Sequence, residues 1–372
     1  MNKIKYALIS SNRRISIPSH KRIVFIGILI FAALWITYIL RAQHNKTKKI
    51  ETSKKCFQSA SNTERLLLLP DILKHKIKPV PGKSIFFLVT TCSTDGSITM
   101  NARQACAVES AAKWNPTRSV FVLFAAPVGF EPNKTVSPII KSLQSISNIH
   151  FRNLNITTFS IGTPGEAWIQ TDRIYLSSFI VAHMADYLRF LTLYKFGGIY
   201  FDLDIVVLKN LDKMPPNFSG AENEFSTAIG AMGFESDKTG HKIIEMISRE
   251  NIDTYSPDEW AESGVGAMTR IVHKICHTKN IFETKPESCL GLKIFPPNTF
   301  YAIHWKNWTH FFSTNPEIVE ETLLLTKDSI IAHVWNKFAE KQVIDKSKPK
   351  TAYGTLAQLN CPDVFNVSGY YF

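Results

Sequence analysis

Residues 196–204, which read FGGIYFDLD, constrain the fold of this chain more than any other segment. Two glycines end a predicted helix, and an apolar strand follows them. Because side chains on a strand alternate between its faces, Asp202 and Asp204 are predicted to point the same way, with Leu203 turned toward the core. Paired carboxylates suit a hard cation such as Mn²⁺ or Mg²⁺, which can hold a diphosphate and take up its charge as it leaves. The segment therefore favours a nucleotide-sugar transferase.

Three other interpretations of this Asp-x-Asp pair compete with the transferase. An EF-hand loop needs Gly at its sixth position and Glu at its twelfth, where this chain has Val207 and Lys213. A haloacid-dehalogenase-type phosphatase usually opens its domain with such a pair, whereas this pair lies mid-domain and continues as Ile-Val-Val-Leu. Two solvated aspartates at a strand end are the third alternative, and only the flanking segments argue against them.

An apolar run near the N-terminus predicts a membrane anchor. Residues 23–40 form 18 uncharged positions between Lys21-Arg22 and Arg41, about 27 Å of helix, which is close to the thickness of an endomembrane bilayer. No clear cleavage site follows, so we expect an uncleaved signal anchor after a cytosolic tail of residues 1–22. Residues 41–80 are polar and basic and predict a stem, with one short helix over residues 63–69. Residues 81–372 then form the catalytic domain.

The orientation of the anchor rests on glycosylation sequons, because basic residues flank the span on both sides. Six N-x-S/T sequons follow the span and favour a lumenal C-terminal domain, the type II arrangement. The acceptor residues are Asn45, Asn133, Asn155, Asn217, Asn307 and Asn366.

Charge and cysteine content exclude two classes of function. Residues 1–80 contain 16 basic and 3 acidic side chains, a net +13, whereas residues 81–372 contain 27 and 28, a net −1. The near-neutral domain gives no indication of nucleic-acid binding. Six cysteines without C-x-x-C spacing argue against zinc and fit disulfides in an oxidising lumen. Local pairing favours Cys92 with Cys106 and Cys276 with Cys289, although sequence alone leaves the connectivity open.

Apolar strands at residues 84–89, 119–124 and 149–153 alternate with helices, which predicts a mostly parallel, Rossmann-like α/β sheet. In the helix before the key strand, Asp186 and Arg189 are i,i+3 neighbours. Such a pair is either a surface ion pair or a grip on sugar hydroxyls, and its place before the Asp-x-Asp strand favours the sugar.

The glycines between that helix and the strand have a structural and a functional interpretation. Gly197 is expected to end the helix, and Gly198 to let the backbone approach a nucleotide closely. A simple tight turn needs the same two residues.

Two segments near the C-terminus add candidate ligands. A strand over residues 329–336 ends with His333, a candidate third metal ligand, and with Trp335 and Asn336, candidate contacts of the diphosphate. A lone histidine at a strand end is more often structural. Trp305, in the aromatic segment 301–308, either stacks on a sugar or fills a core.

These segments resemble the Golgi α-1,4-galactosyltransferases and α-1,4-N-acetylglucosaminyltransferases, glycosyltransferase family 32. The resemblance runs in family order across nearly all of residues 81–372. Its most specific block is the His-x-x-Asp-x-x-Arg motif followed by Gly-Gly-x-Tyr-x-Asp-x-Asp. The other matching segments are residues 103–112, 269–270, 300–305, 332–336 and 356–362.

The resemblance implies a GT-A-type domain behind an N-terminal transmembrane helix, a UDP-sugar donor, Mn²⁺, retention of anomeric configuration and a glycolipid or glycan acceptor. By this resemblance Asp204 is the direct metal ligand and Asp202 bridges the metal and the ribose. Asp186 and Arg189 hold the donor sugar. His333 completes the metal shell, with Trp335 near the β-phosphate.

Departures from the family fall at the donor helix, the first strand and the acceptor region. Ala185 replaces a Ser, and residues 89–92 replace a Glu-Thr-Ser-like strand end. Residues 263–266 read Ser-Gly-Val-Gly where the family has Asn-Gly-Pro-Gly, which predicts a more mobile acceptor loop. The implied acceptor residues are Ser263, Gly264, Gly266 and Trp305.

The resulting hypothesis is a retaining, metal-dependent transferase that moves Gal, GalNAc or GlcNAc from a UDP-sugar in α-1,4 linkage to a terminal sugar. The alternative is a catalytically silent Golgi membrane protein that binds glycans. Donor, acceptor and a homodimeric state are left open by the sequence.

Overall fold

The computed structural model describes residues 19–58, 63–93, 95–348 and 350–372. The chain divides into two units, residues 1–49 and 50–372. Helix α1, Ser19–Gln58, begins in the first unit and ends in the second. Within the described residues it is the one helix that is long and apolar enough to cross a membrane. The predicted cytosolic tail lies mostly outside the described residues.

The structure corrects the predicted stem, because the compact unit begins at Ile50 and not near residue 81. Helix α1 continues to Gln58 and buries Phe57, and Ile72 is also buried. The less exposed positions of this helix end are residues 50, 53, 54, 56 and 57. Four of them, 50, 53, 54 and 57, form an i, i+3, i+4, i+7 face that the basic composition concealed. The predicted helix over residues 63–69 is a 3₁₀ turn, Thr63–Arg65, followed by strand β1, Leu67–Leu68.

A seven-stranded sheet forms the centre of the second unit. In spatial order its strands are β10 Lys293–Phe295, β8 Phe218–Ala221, β9 Thr227–Phe234, β6 Gly198–Phe201, β2 Ile85–Val89, β3 Val120–Phe124 and β5 Ile149–Asn153. Only β9 runs antiparallel to its neighbours, β6 and β8. The predicted mostly parallel α/β class is confirmed.

Helices cover both faces of this sheet, because its strands are apolar on both sides. Along β2, Ile85 and Phe87 enter one core whereas Phe86 and Leu88 enter the other. The helices after α1 are α2 Ala102–Trp114, α3 Pro138–Gln144, α4 Ile156–Ser160, α5 Glu166–Ile169, α6 Ile180–Phe196, α7 Lys238–Asp253, α8 Gly264–Cys276, α9 Pro297–Phe300, α10 Pro316–Thr326, α11 Asn336–Ala339, α12 Ala352–Asn360 and α13 Pro362–Val367. Aromatic residues 305–312 form a 3₁₀ helix, Trp305–Phe312.

Two small antiparallel pairs lie outside the main sheet. Strand β1 pairs with β4, Gly129–Phe130. Strand β7, Ile205–Val207, pairs with β11, Ile331–His333, and His333 faces Ile205 in the register. This second pair brings the C-terminal histidine next to the Asp-x-Asp segment.

Three disulfides connect all six cysteines. The predicted Cys276–Cys289 bridge is confirmed. The predicted Cys92–Cys106 bridge is wrong, because Cys92 pairs with Cys56 and Cys106 pairs with Cys361. Cys106 lies on the buried face of α2, toward α12 and α13.

The sequon residues differ in exposure. Asn217 is buried, and its amide accepts from the Glu235 N–H and donates to the Glu235 carboxylate. This side chain is inaccessible on the folded domain. The acceptors at positions 45, 133, 155, 307 and 366 are exposed.

Candidate functional site

A cavity of about 460 Å³ opens at the C-terminal end of β6, the edge where α/β sheets bind ligands. It collects most of the side chains that the sequence singled out and several that it did not. The lining residues are Ala182, Asp186, Arg189, Asp202, Asp204, Glu222, Ala228, Ile229, Gly230, Trp260, Ala261, Val265, Tyr301, Trp305, His333, Trp335, Lys337 and Phe338.

Asp202 and Asp204 lie in the turn between β6 and β7, not on a strand as predicted. The Asp202 N–H donates to the Gly230 carbonyl at 2.9 Å. The Asp204 carbonyl accepts the Val334 N–H at 2.8 Å, which extends the contact with β11. Turn geometry, and not strand alternation, therefore brings the two carboxylates to the same side.

His333 completes a cluster with the two carboxylates. One ligand atom from each of Asp202, Asp204 and His333 lies within 4.8 Å of the others. The His333 Nε2 is 3.3 Å from Asp204 Oδ1 and 3.9 Å from Asp202 Oδ2. Two carboxylates and one imidazole form a donor set that fits a divalent ion such as Mn²⁺.

Gly230 keeps the space beside this cluster open, and it belongs to no sequence motif that would have predicted this role. A Cβ at this position would lie 2.9 Å from Asp202 Oδ2 and 3.0 Å from His333 Nε2. Any side chain would therefore press on two of the three candidate ligands. The side chains of Asp202, Asp204 and His333 are therefore suited to hold a divalent metal ion.

Arg189 is a buried clamp rather than a surface ion-pair partner. Its Nη2 lies 3.1 Å from Asp186 Oδ1 and its Nη1 lies 3.0 Å from Asp202 Oδ1. Nη1 also donates to the Ile229 carbonyl at 2.9 Å, and Nε donates to the Ala185 carbonyl at 3.3 Å. Two of these contacts are hydrogen bonds to backbone carbonyls and two are ion pairs with carboxylates, so the guanidinium is held on four sides by the protein.

Tyr200 contacts both Arg189 and Asp202. Its ring lies 4.7 Å from the Arg189 guanidinium carbon, and its hydroxyl donates to Asp202 Oδ1 at 2.6 Å. Burial opposes the charge on Asp202, but Arg189, His333 and Tyr200 outweigh it and lower the pKa of Asp202 to about 2. The Asp202 carboxylate is thus held ionised.

Asp186 has a different electrostatic environment. Burial raises its pKa to about 6, although the charge of Arg189 acts in the opposite direction. Its Oδ2 accepts no hydrogen bond from any described residue and faces Gly264, where a Cβ would lie on top of it. This oxygen is available for a ligand hydroxyl.

Residues 335 and 336 contact the Asp202–Asp204–His333 cluster from the C-terminal part of the chain. The Asn336 N–H donates to Asp204 Oδ2 at 2.7 Å, so Asn336 acts through its backbone, and its side chain does not line the cavity. Trp335 lines the cavity and donates from its indole to the Ile303 carbonyl at 2.7 Å. Its φ of 55° places the backbone in the left-handed region.

The structure does not place Gly197 and Gly198 at the cavity, so their predicted donor contact is not supported. Both have positive φ and lie at the N-terminal end of β6, whereas Asp202 follows its C-terminal end. A Cβ on Gly197 would meet the backbone of Ser236, and one on Gly198 would meet the Ser84 carbonyl. The two glycines instead allow the start of strand β6 to pack closely against the backbone of neighbouring segments.

The predicted mobile acceptor loop is the beginning of helix α8. Ser263 is buried at the N-cap, and Val265 lies in the first turn and lines the cavity. Gly264 touches Asp186, the residue implied for the donor sugar, so Ser263, Gly264 and Gly266 adjoin the donor side. The side-chain pattern missed this helix because three of its first residues favour turns.

An aromatic wall, Trp260, Trp305 and Phe338, forms the outer side of the cavity. The Trp305 and Phe338 rings stack with centroids 5.4 Å apart, and the Lys337 ammonium lies 3.5 Å from the Trp260 ring centroid. Sequence reasoning found Trp305 alone. The others stand outside any motif, and only the fold brings them to one surface.

Two family profiles match this chain. The profile described as "Glycosyltransferase sugar-binding region containing DXD motif" matches residues 101–221, which include the Asp202–Asp204 turn. The profile described as "Alpha 1,4-glycosyltransferase conserved region" matches residues 236–368, which include His333.

Curated relatives agree with these profiles. The chain is 30% identical to lactosylceramide 4-alpha-galactosyltransferase from Pan troglodytes over 288 residues, 76% of each chain. It is 22% identical to alpha-1,4-N-acetylglucosaminyltransferase from Homo sapiens over 263 residues, 70% of this chain and 74% of the relative. Among solved structures, the PaToxG glycosyltransferase is 12% identical with a TM-score of 0.37, covering 89% of this chain and 99% of that one. That score is too low to support an argument from likeness.

Proposed function

This chain belongs to the α-1,4-glycosyltransferase family, and on that premise we propose that it moves Gal, GalNAc or GlcNAc from a UDP-sugar to the terminal sugar of a glycosphingolipid or glycan, with retention of configuration. Galactose is the first candidate, because the 30% identical relative is a lactosylceramide 4-alpha-galactosyltransferase. The observation that carries the proposal is the Asp202–Asp204–His333 cluster in the cavity.

These three residues would hold the divalent ion, Mn²⁺ with Mg²⁺ as the alternative. When bound, such an ion offsets negative charge on a departing diphosphate. The fold holds each of the three candidate metal ligands in place through a different contact. Asp204 is held by the Asn336 N–H, Asp202 by Arg189 and Tyr200, and His333 by the β7–β11 register.

The Arg189 clamp would orient the donor sugar through Asp186. The guanidinium fixes Asp186 Oδ1, which leaves Oδ2 to accept a hydroxyl of the sugar. Arg189 is mainly a positioning residue, because all three of its nitrogens already contact protein oxygens. No described carboxylate is assigned as a nucleophile, so same-face attack, with the leaving phosphate taking the acceptor proton, is the proposed course.

We place the enzyme in the Golgi membrane as a single-pass type II protein with a lumenal catalytic domain. One apolar helix suited to spanning a membrane, three disulfides and five exposed sequon residues support this topology. The silent glycan-binding alternative rested on the departures at Ala185 and Val265. Ala185 still offers its carbonyl to Arg189, and Val265 lies in the helical wall of the cavity.

The test uses the full-length chain purified in detergent. UDP-Gal, UDP-GalNAc and UDP-GlcNAc are each offered with lactosylceramide or lactose, with Mn²⁺ or with EDTA. We expect one donor to give a product whose α-1,4 linkage is read by NMR, and no product in EDTA. Failure to release UDP from all three donors in Mn²⁺ contradicts the proposed function.

A further inference from the structure

Glu222 is a cavity carboxylate that neither the metal cluster nor the Arg189 clamp uses. It follows the last residue of β8 and lines the same cavity as His333. Within the described residues it takes part in no ion pair with a Lys, Arg or His side chain, unlike Asp186, Asp202 and Asp204. A partly buried carboxylate without a cation partner needs hydrogen-bond donors, and the Trp305 side chain is one of them. A carboxylate has further acceptor positions, which a ligand hydroxyl can fill.

The position of Glu222 is fixed by the turn that carries it. Its N–H donates to the Ser226 carbonyl at 2.9 Å, and Asn223 Oδ1 accepts the N–H groups of Phe225 and Ser226. Such a closed turn holds the backbone at Glu222 in place before any ligand arrives. The fold therefore places Glu222 at the wall of the cavity.

The charge of Glu222 decides which part of the substrate it can meet. A carboxylate repels a diphosphate, so Glu222 is unsuited to the UDP moiety. Carboxylates accept hydrogen bonds from hydroxyl groups. The Trp305 side chain is its neighbour in the cavity, and the indole N–H is a donor to the Glu222 carboxylate, while the Trp305 ring stacks on Phe338. An acceptor oxygen beside an aromatic side chain matches a sugar ring, which has hydroxyl groups at its rim and C–H groups on its faces.

Strand register separates this pair from the donor side. Ala221, which precedes Glu222, pairs with Thr227 at one end of β9. Gly230, which adjoins the metal cluster, lies three residues further along, roughly 10 Å of strand. The backbone that carries Glu222 is thus set apart from the backbone beside the Asp202–Asp204–His333 cluster. Asp186 lies on the other side, against α8.

We propose that Glu222 and Trp305 form the subsite for the acceptor sugar, a terminal β-galactoside. Glu222 accepts a hydrogen bond from a ring hydroxyl and Trp305 packs on the C–H face, which makes both residues determinants of acceptor specificity. The proposal rests on the transferase function above and assigns neither residue to the metal or the donor.

The kinetic test uses the full-length enzyme with lactose as acceptor. Glu222→Gln keeps the shape and loses the charge, and we expect it to raise the KM for lactose about 10- to 100-fold, the range for a lost hydrogen bond to a charged group. Trp305→Leu should raise the same KM by roughly tenfold. The donor KM and the Kd for UDP in Mn²⁺, measured by calorimetry, should stay within about twofold, since neither contact involves UDP.

Residues near Glu222 and Trp305 in the sequence provide matched control variants. Glu224→Gln removes a charge two positions along the same turn, and Trp308→Leu removes an indole from the same 3₁₀ helix, yet neither residue lines the cavity. Both controls should leave the KM for lactose unchanged. A KM for lactose within twofold of wild type in Glu222→Gln, or a matching loss of UDP affinity, overturns the subsite.

A binding measurement separates this inference from the function on which it rests. Saturation-transfer NMR detects lactose on the full-length protein with UDP and Mn²⁺ present, without turnover. Lactose binding that is lost in Glu222→Gln supports the subsite even if the wild type transfers no sugar, in which case only the proposed function fails. Normal transfer with unchanged lactose binding in the variant overturns the subsite alone, as does absence of lactose binding to the wild type.

Discussion

The two sides of the cavity are built on opposite principles. Arg189 and Asp186 are 5% and 7% exposed and are held by charged contacts, whereas Trp260 and Phe338 of the aromatic wall are 39% and 41% exposed. Groups that must meet developing charge need fixed positions and little water. Rings that recognise a sugar face tolerate exposure and adjustment. Substitutions on the polar side should therefore lower kcat strongly, and those on the aromatic wall should raise the acceptor KM more mildly.

The largest expected effect is that of Asp204→Ala. Removing one carboxylate from the metal cluster should lower transfer by at least about 10³-fold, since metal stabilisation of charge contributes several kcal/mol. The protein should remain folded, as judged by its thermal unfolding. Asp328→Ala is the matched control, because the Asp328 side chain is 96% exposed. Activity of Asp204→Ala within a few-fold of wild type would contradict the expectation that the polar side of the cavity controls turnover.

Arg189→Lys comes next, although it preserves charge. A lysine cannot supply the planar fork that reaches Asp186 and Asp202 together. We expect transfer to fall about 100-fold and the free energy of unfolding to drop by about 2–4 kcal/mol, because two buried carboxylates lose donors. Denaturant unfolding and steady-state kinetics measure the two effects. The equivalent change at Arg249, which is paired on the surface with Glu245, should affect neither quantity.

Gly230→Ala tests the space beside the metal cluster. The added methyl group would approach Asp202 Oδ2 at 2.9 Å and His333 Nε2 at 3.0 Å, which forces one ligand to move. A displacement of this size should cost roughly 10- to 100-fold in kcat, with a higher Mn²⁺ requirement. Titration of activity with Mn²⁺ shows it. An unchanged Mn²⁺ requirement would mean that the ion is held elsewhere.

Trp260→Leu should have the smallest effect. The change removes the stacking partner of the Lys337 ammonium, an interaction of about 0.5–2 kcal/mol. We expect the acceptor KM to rise about two- to fivefold while kcat and the donor KM stay constant. A larger loss in kcat than in acceptor affinity would show that the aromatic wall is not merely a recognition surface.

Local patterns predicted the polar side of the cavity well. The i,i+3 spacing of Asp186 and Arg189 and the Asp-x-Asp pair are both short-range features, and the structure brings them together. Their detailed roles needed the fold. The sequence could not show that Arg189 binds Asp202, because the contact crosses from helix to turn.

Long-range contacts explain the remaining differences. His333 meets Asp204 through the β7–β11 register. The sequence offered it only as a candidate ligand at a strand end, beside a structural alternative, and the resemblance implied its place in the metal shell. The Cys106–Cys361 bridge joins residues 255 positions apart, which no local rule would choose. Gly230 and Glu222 carry no motif and gain meaning only from their neighbours in the cavity. Composition also misled at residues 50–58, where a basic helix end belongs to the compact unit.

The most direct test of the central claim is Mn²⁺ binding by the full-length protein with UDP present, followed by electron paramagnetic resonance. The account predicts one bound ion per chain in the wild type, and loss of at least tenfold in affinity in His333→Ala and in Asp204→Ala. The His310→Ala change on the 3₁₀ helix, at a residue that does not line the cavity, should have no effect. Equal Mn²⁺ affinity in wild type and His333→Ala would contradict the cluster of Asp202, Asp204 and His333 as the metal site.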